Sequence, residues 1–232
     1  RGPAPIATLP ATVRLADLGA RANLVRRPWV VPVGMAEHDH GPASLVAYEG
    51  EHALVTGPAR SGKSTTLLTV ASAVLAEVPD ALVAALAHPR SPLVGDPRVH
   101  RVVDPGAAEE LPPLVASDAP LVLVLVDDAD AIDDPRLEAL GTSRRPNLLV
   151  VAAGRADVLR TGYNHWTRPL RRSKLGVLLR PDADLDGDIL GARLPRRPPV
   201  AMSVGRGYIV NNAEPVLAQI AFEGAMPTDR RT

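Results

Sequence analysis

The stretch HALVTGPARSGKSTTLLTVASAVLAEV, residues 52–78, decides how this chain is read. Its opening, HALVTG (52–57), is a short apolar run closing on glycine and predicts a strand. Its second half sets Leu67, Leu68, Ala71, Val74 and Leu75 at helical spacing and predicts a helix. Between them GPARSGKS (57–64) satisfies G-x-x-x-x-G-K-[ST] in full, in the strand–loop–helix context that gives the pattern its meaning. Gly57 and Gly62 permit backbone angles and a close approach that a side chain would block. Amides of the turn through Pro58, Ala59, Arg60 and Ser61, and of the helix start that follows, point inward and meet phosphate charge. Lys63 is expected to reach the β- and γ-phosphates of a nucleotide, Ser64 to ligate Mg²⁺ through its hydroxyl, and Thr65 to hydrogen-bond the α-phosphate. A chance glycine-rich turn is the bland alternative, and the flanking strand and helix argue against it.

Outward from this stretch, strands alternate with helical segments. LVLVLVDD (121–128) and NLLVVAA (147–153) are fully apolar runs of the kind buried on both faces of a parallel sheet. ALVAALA (81–87) and HRVVD (100–104) read as further strands. AAEELPPLV (107–115) reads as a helix interrupted by prolines, and DPRLEAL (134–140) as a short helix with Asp134 as N-cap and Pro135 at its first position. WVVPV (29–33) is strand-like, with Pro32 arguing for a sheet edge. After about residue 174, KLGVLLR, GRGYIVN and EPVLAQIA look like short strands forming an antiparallel addition. The fold class expected is α/β, one domain with a central, mostly parallel sheet flanked by helices. Residues 1–28 read as a linker, 29–222 as the domain and 223–232 as a tail.

An apolar strand ending in acid is the second element a phosphate loop needs, and VLVLVDDAD (122–130) provides it. Asp127 is expected to hold Mg²⁺, and the adjacent Asp128 to orient and deprotonate an attacking water.

Composition excludes several classes. Acidic and basic residues balance at 26 each, so no net field draws the whole chain to nucleic acid or membrane. There is no cysteine, which removes disulfides, thiolate metal sites and cysteine nucleophiles. The apolar run Leu121–Val126 is far too short to span a bilayer, and no charged-then-apolar leader opens the chain. Beginning at Arg1, the chain reads as a piece of something longer. Only Lys63 and Lys174 are lysines, against 24 arginines, a bias that lowers the information in any one arginine cluster.

The set GPARSGKST, ALAHPRSPL, LVDDAD, VVAAGR, RSKLGVLL, DGDILGARLPRR and GRGYIV resembles the FtsK/SpoIIIE family of ATPases over about Val13 to Ile220. The likeness is greatest to the C-terminal ATPase domains of EccC-like type VII secretion motors and of forkhead-associated-domain relatives. The resemblance implies a RecA-like fold, binding of ATP and Mg²⁺, and work in a ring or tandem of such domains. It gives Lys63, Asp128 and Arg155 catalytic roles, with Arg155 where the class keeps a polar γ-phosphate sensor. It also implies an arginine offered to a neighbour's nucleotide, for which Arg168, Arg171 and Arg172 are the candidates. Many motors of this class carry glutamate where Asp128 stands. Aspartate is one methylene shorter, a retreat of roughly 1.5 Å where a misplacement of about 1 Å costs around 100-fold. The partners implied are neighbouring ATPase domains and a secreted protein substrate, with DNA the weaker alternative. The location implied is the cytoplasmic face of a membrane, reached through other parts of a longer protein.

Other signals carry less. DADLDGD (182–188) matches the opening of a calcium loop, but its twelfth position is Arg193 where a glutamate is needed. HDH (38–40) lacks a third placed ligand. GRGY (205–208) reads equally as a flap over the adenine end of the site or as a glycine-kinked strand. Residues 155–180 hold seven basic side chains against Asp157, and residues 102–138 ten acids against Arg136. Contact between subunits is the favoured reading of that asymmetry.

Overall fold

Side chains that are apolar on both sides of a strand can only be satisfied inside a covered sheet, and two strands here meet that condition completely. In the computed structural model, which describes residues 9–223 apart from positions 163 and 199, every residue of β6 (Val122–Val126) and β7 (Leu148–Gly154) is buried. They lie side by side and parallel, Val124 opposite Val150. Burying each such Val or Leu contributes roughly 1.5–3 kcal/mol. The first eight residues of the expected linker and residues 224–232 of the expected tail lie outside the described residues.

Among the described residues ten strands form one sheet. The remaining ones are β1 (Trp29–Ala36), β2 (Pro42–Ala47), β3 (Ala53–Thr56), β4 (Leu82–Leu86), β5 (Arg101–Val103), β8 (Gly176–Leu179), β9 (Arg206–Asn211) and β10 (Glu214–Ile220). Their spatial order is β2-β1-β10-β9-β8-β3-β7-β6-β4-β5. From β8 to β5 all pairs are parallel, and from β8 back to β2 all are antiparallel. The α/β class and its mostly parallel sheet are therefore as expected.

Three details differ from the reading of the sequence. KLGVLLR joins both parts: β8 pairs antiparallel with β9 as expected, Val177 opposite Ile209, but runs parallel to β3, Val55 opposite Val177, because the chain crosses over through helices before entering it. β1 is not the edge strand, since it lies between β2 and β10; β10 pairs only with Gly34–Ala36, however, so Pro32 has a strand partner on its β2 side alone. The edge belongs instead to β2, whose sequence PASLVA gave no strand signal.

The helices cover both faces. On one side α1 (Lys63–Glu77) buries Leu67, Val70, Ala71 and Val74 against the sheet. On the other lie α2 (Leu111–Val115), α3 (Glu138–Thr142), α4 (Ala156–Thr161) and α5 (Arg168–Arg172), with Leu140, Leu159, Trp166 and Leu170 in a second core. Asp134 caps as expected, its side chain accepting from Arg136 N at 2.9 Å, although the first turn is a 3-10 helix. The stretch before Trp29 packs onto the domain. Leu9, Val13, Leu18 and Leu24 are buried, and the buried Arg206 guanidinium donates to Leu9 O (2.9 Å) and Pro10 O (2.7 Å).

Candidate nucleotide site

Parallel strands direct their C-terminal ends to one rim of the sheet, where open α/β sheets bind ligands. Four loops meet there: residues 57–62 after β3, 88–92 after β4, 127–130 after β6 and 155 after β7. They enclose a cleft of about 420 Å³ lined by Ala59, Arg60, Gly62, Lys63, Ser64, Thr65, Pro92, Asp128, Arg155 and Val204.

The loop after β3 is shaped by its glycines. A Cβ on Gly57 would meet Ser61 Oγ at 2.6 Å and Leu179 O at 2.7 Å, so no side chain fits. Gly62 has φ +108, in the left-handed region glycine favours, and it starts α1. The first amide bonded back into the loop is Thr66 N, to Gly62 O at 2.9 Å. Lys63, Ser64 and Thr65 thus present helix-start amides that have no intrahelical acceptor.

Lys63 is buried, and its Nζ donates to Gly57 O at 3.2 Å and Pro58 O at 3.1 Å. A buried ammonium whose hydrogen bonds go only to carbonyls carries a charge those partners do not neutralise. Ser64 Oγ donates to both oxygens of Asp127, at 3.1 and 3.0 Å. Asp127 is 3% exposed, and its second oxygen also accepts from Ser91 Oγ at 2.6 Å. A hydroxyl and a buried carboxylate in contact are hard oxygen donors, the set that suits Mg²⁺ shared with phosphates. The amide cradle, the ammonium and this oxygen pair fit a nucleotide triphosphate with its magnesium.

Asp128 is exposed on the cleft wall with φ +49, a conformation uncommon outside glycine and more frequent at functional positions. Partial burial, then the charges of Asp127 and Asp130, push its pKa above the ordinary carboxylate range, with Lys63 and His88 opposing. A carboxylate raised in this way is a stronger base than a free one. Arg155 lines the same cleft. Its guanidinium pairs with Asp157, which raises its own pKa, and its amide donates to Asp130 Oδ1 at 2.9 Å. Of the residues expected to bind or act in cis, Ala59, Arg60, Gly62, Lys63, Ser64, Thr65, Asp128 and Arg155 thus line the cleft, Gly57, Ser61 and Asp127 are buried beside them, and Pro58 is exposed in the same loop.

Two contributors were not expected. Ser91 is one, brought over because β4 lies next to β6. Val204 is the other, and its neighbour Gly205, in the GRGY stretch read as a flap or a glycine-kinked strand, donates from its N to Ser61 O at 2.9 Å before β9 continues away. Of the arginines considered for a neighbouring nucleotide, Arg171 is spent internally on Leu159 O (2.8 Å) and Gly162 O (2.7 Å), while Arg168 and Arg172 are exposed. Three carboxylates of 182–188 are engaged: Asp182 accepts from Asp184 N, Asp184 faces Arg196 at 3.3 Å, and Asp186 accepts from Asp182 N and faces Arg160.

A strand–loop–helix at the centre of a parallel sheet, with a buried aspartate at the end of a nearby strand, defines the fold of a P-loop ATPase domain. Solved structures agree. Thermomonospora curvata EccC (ATPases 2 and 3), in complex with a signal sequence peptide, matches with TM-score 0.71 and 19% identity over 95% of this chain and 45% of that one. EssC (ATPases 2 and 3) from Geobacillus thermodenitrificans matches with TM-score 0.68 and 17% identity over 96% and 46%. The pCW3 conjugation coupling protein TcpA, solved as a monomer with ATPγS, gives 0.61 and 16% over 93% and 71%. The chain spans less than half the length of those EccC and EssC chains. No family model and no curated protein matches it. Among the described residues no helix is long and apolar enough to cross a membrane.

Proposed function

We propose that this chain is an ATP-binding motor domain of FtsK/SpoIIIE type, one part of a larger translocase of the type VII secretion kind that moves protein substrates. The observation that carries this reading is the contact of Ser64 with Asp127 beside a buried Lys63 ammonium whose hydrogen-bond partners among the described residues are carbonyls. In this reading Lys63 and the loop amides of 57–65 bind the phosphates of ATP, and Ser64 and Asp127 hold Mg²⁺. The metal supplies neutralisation of phosphate charge when bound. Asp128 accepts the proton of an attacking water, and Arg155 swings from Asp157 to the nucleotide. Neighbouring ATPase domains complete the machine, as in the multi-ATPase EccC and EssC chains, and the working location is the cytoplasmic face of a membrane. Secreted polypeptide is favoured as cargo because the EccC structure was solved with a signal sequence peptide.

The short side chain at position 128 makes turnover slow. Steady-state ATP hydrolysis by the wild type, Lys63→Ala and Asp128→Glu tests this. Lys63→Ala abolishes turnover and Asp128→Glu raises it at least about tenfold. Turnover retained by Lys63→Ala would contradict the assignment of the site.

A further inference from the structure

A second cleft, also about 420 Å³, opens beside α4, α5 and the turn at Asp186–Leu190. Among the described residues five cations line it, Arg160, Arg168, Arg171, Arg172 and Lys174, together with one carboxylate, Asp188. It is not an extension of the nucleotide cleft. Ser173, next to Lys174, accepts from His52 N at 3.3 Å where the chain is about to enter β3 and β8, whereas Gly57 and Leu179 meet at the far ends of those strands. The two sites are thus separated by the length of β3, about 13 Å for a four-residue strand.

The cations differ in how they are used. Arg160 faces Asp186 at 3.4 Å. Arg171 gives two nitrogens to backbone carbonyls, yet its Nε is buried with no partner among the described residues. Burial, and then the charge of Arg168, hold the Arg171 pKa below its ordinary value, so like charges meet here without relief. Arg168, Arg172 and Lys174 are exposed and form no ion pair among the described residues. Four cations, Arg168, Arg171, Arg172 and Lys174, thus have no ion pair among the described residues, and Asp188 offsets one of them, which leaves three positive charges uncompensated around one cleft. Guanidinium forks match phosphate oxygens in pairs. Two phosphate groups carry on the order of three negative charges, which balances those three positive charges. Among the described residues the wall holds no aromatic side chain on which a base could stack, which disfavours a nucleic-acid strand.

We propose that this cleft binds a small anion bearing two or more phosphate groups, independently of the nucleotide loop. The test is calorimetric titration of inorganic pyrophosphate, without Mg²⁺, into the full chain carrying Lys63→Ala, so that the nucleotide loop contributes little. The same titration is repeated with Arg168→Ala and Arg172→Ala added, and separately with Arg21→Ala and Arg26→Ala as an equal change of charge elsewhere. Expected is binding that weakens with salt and falls at least about tenfold on loss of Arg168 and Arg172, but stays within about twofold in the Arg21/Arg26 control. Because Arg168 and Arg172 are exposed, the urea midpoint stays unchanged, which separates lost binding from lost fold. Absence of binding, equal loss in the two double variants, or capture of poly-glutamate or duplex DNA through Arg168 and Arg172 where pyrophosphate fails would overturn the proposal.

Discussion

His52 makes the stability of the fold that presents the phosphate loop depend on pH. It precedes β3, is fully buried, and bridges two segments: Val150 N donates to Nδ1 at 3.2 Å, and Nε2 faces Ser143 O at 3.1 Å. An amide can only donate and a carbonyl only accept, so the ring is neutral with its proton on Nε2. Burial, with a smaller contribution from the Arg27 charge, holds its pKa down at about 4 against an ordinary 6.5, despite the opposing bond to Ser143. The folded ring resists a proton that the unfolded ring accepts. Its contribution is therefore complete above about pH 6.5 and is lost as pH falls toward 4. At about 1.4 kcal/mol per pH unit below 6.5, the wild type loses about 2 kcal/mol from this group between pH 7 and pH 5. His52→Gln keeps a donor and an acceptor in the amide but removes the titration. Urea unfolding of both proteins at pH 7 and pH 5 isolates the effect, because every other titrating group is common to the two. The wild type should lose about 2 kcal/mol more than the variant. An identical pH dependence in both would refute the buried, neutral state of His52.

Two further outcomes bear on the cleft. Asp130 helps to raise the Asp128 pKa, so in Asp130→Asn the acidic limb of the pH–turnover profile moves to lower pH, while the amide still accepts from Arg155 N; an unmoved limb removes Asp128 as the titrating base. Ser91→Ala deletes the 2.6 Å hydrogen bond that fixes Asp127. ATP affinity should fall about tenfold when Mg²⁺ is present and stay unchanged without it, as titrations with and without the metal would show.

The loop at 57–64 and the acid-tipped β6 could be read from the sequence because each is local. Glycines, lysine and hydroxyl sit within eight residues, and an unbroken apolar run has few places to go besides a covered sheet. What escaped depends on contacts between distant residues. Ser91 touches Asp127 across 36 positions only because β4 pairs with β6, and nothing around HPRSP encodes that neighbour. The antiparallel pairing of β8 with β9 was legible, but its parallel pairing with β3 escaped, because an apolar tetrapeptide looks the same in both kinds of pairing. Pro32 pointed to an edge strand because a proline is tolerated wherever one side of a strand is unpaired, as it is here beyond the reach of β10. The arginine excess was uninformative as a count. In place, the arginines separate into a structural Arg206 holding the N-terminal stretch, an internally bonded Arg171, and the exposed Arg168 and Arg172 of the basic cleft.

The most direct measurement is calorimetric titration of the wild type and Lys63→Ala with ATP in excess Mg²⁺, alongside their unfolding midpoints. One-site binding is expected in the wild type, with about 2.7 kcal/mol of stabilisation at a hundredfold excess over Kd, and binding at least about tenfold weaker in Lys63→Ala. Equal affinity in both proteins, or no binding by the wild type, would contradict a nucleotide site built on residues 57–65.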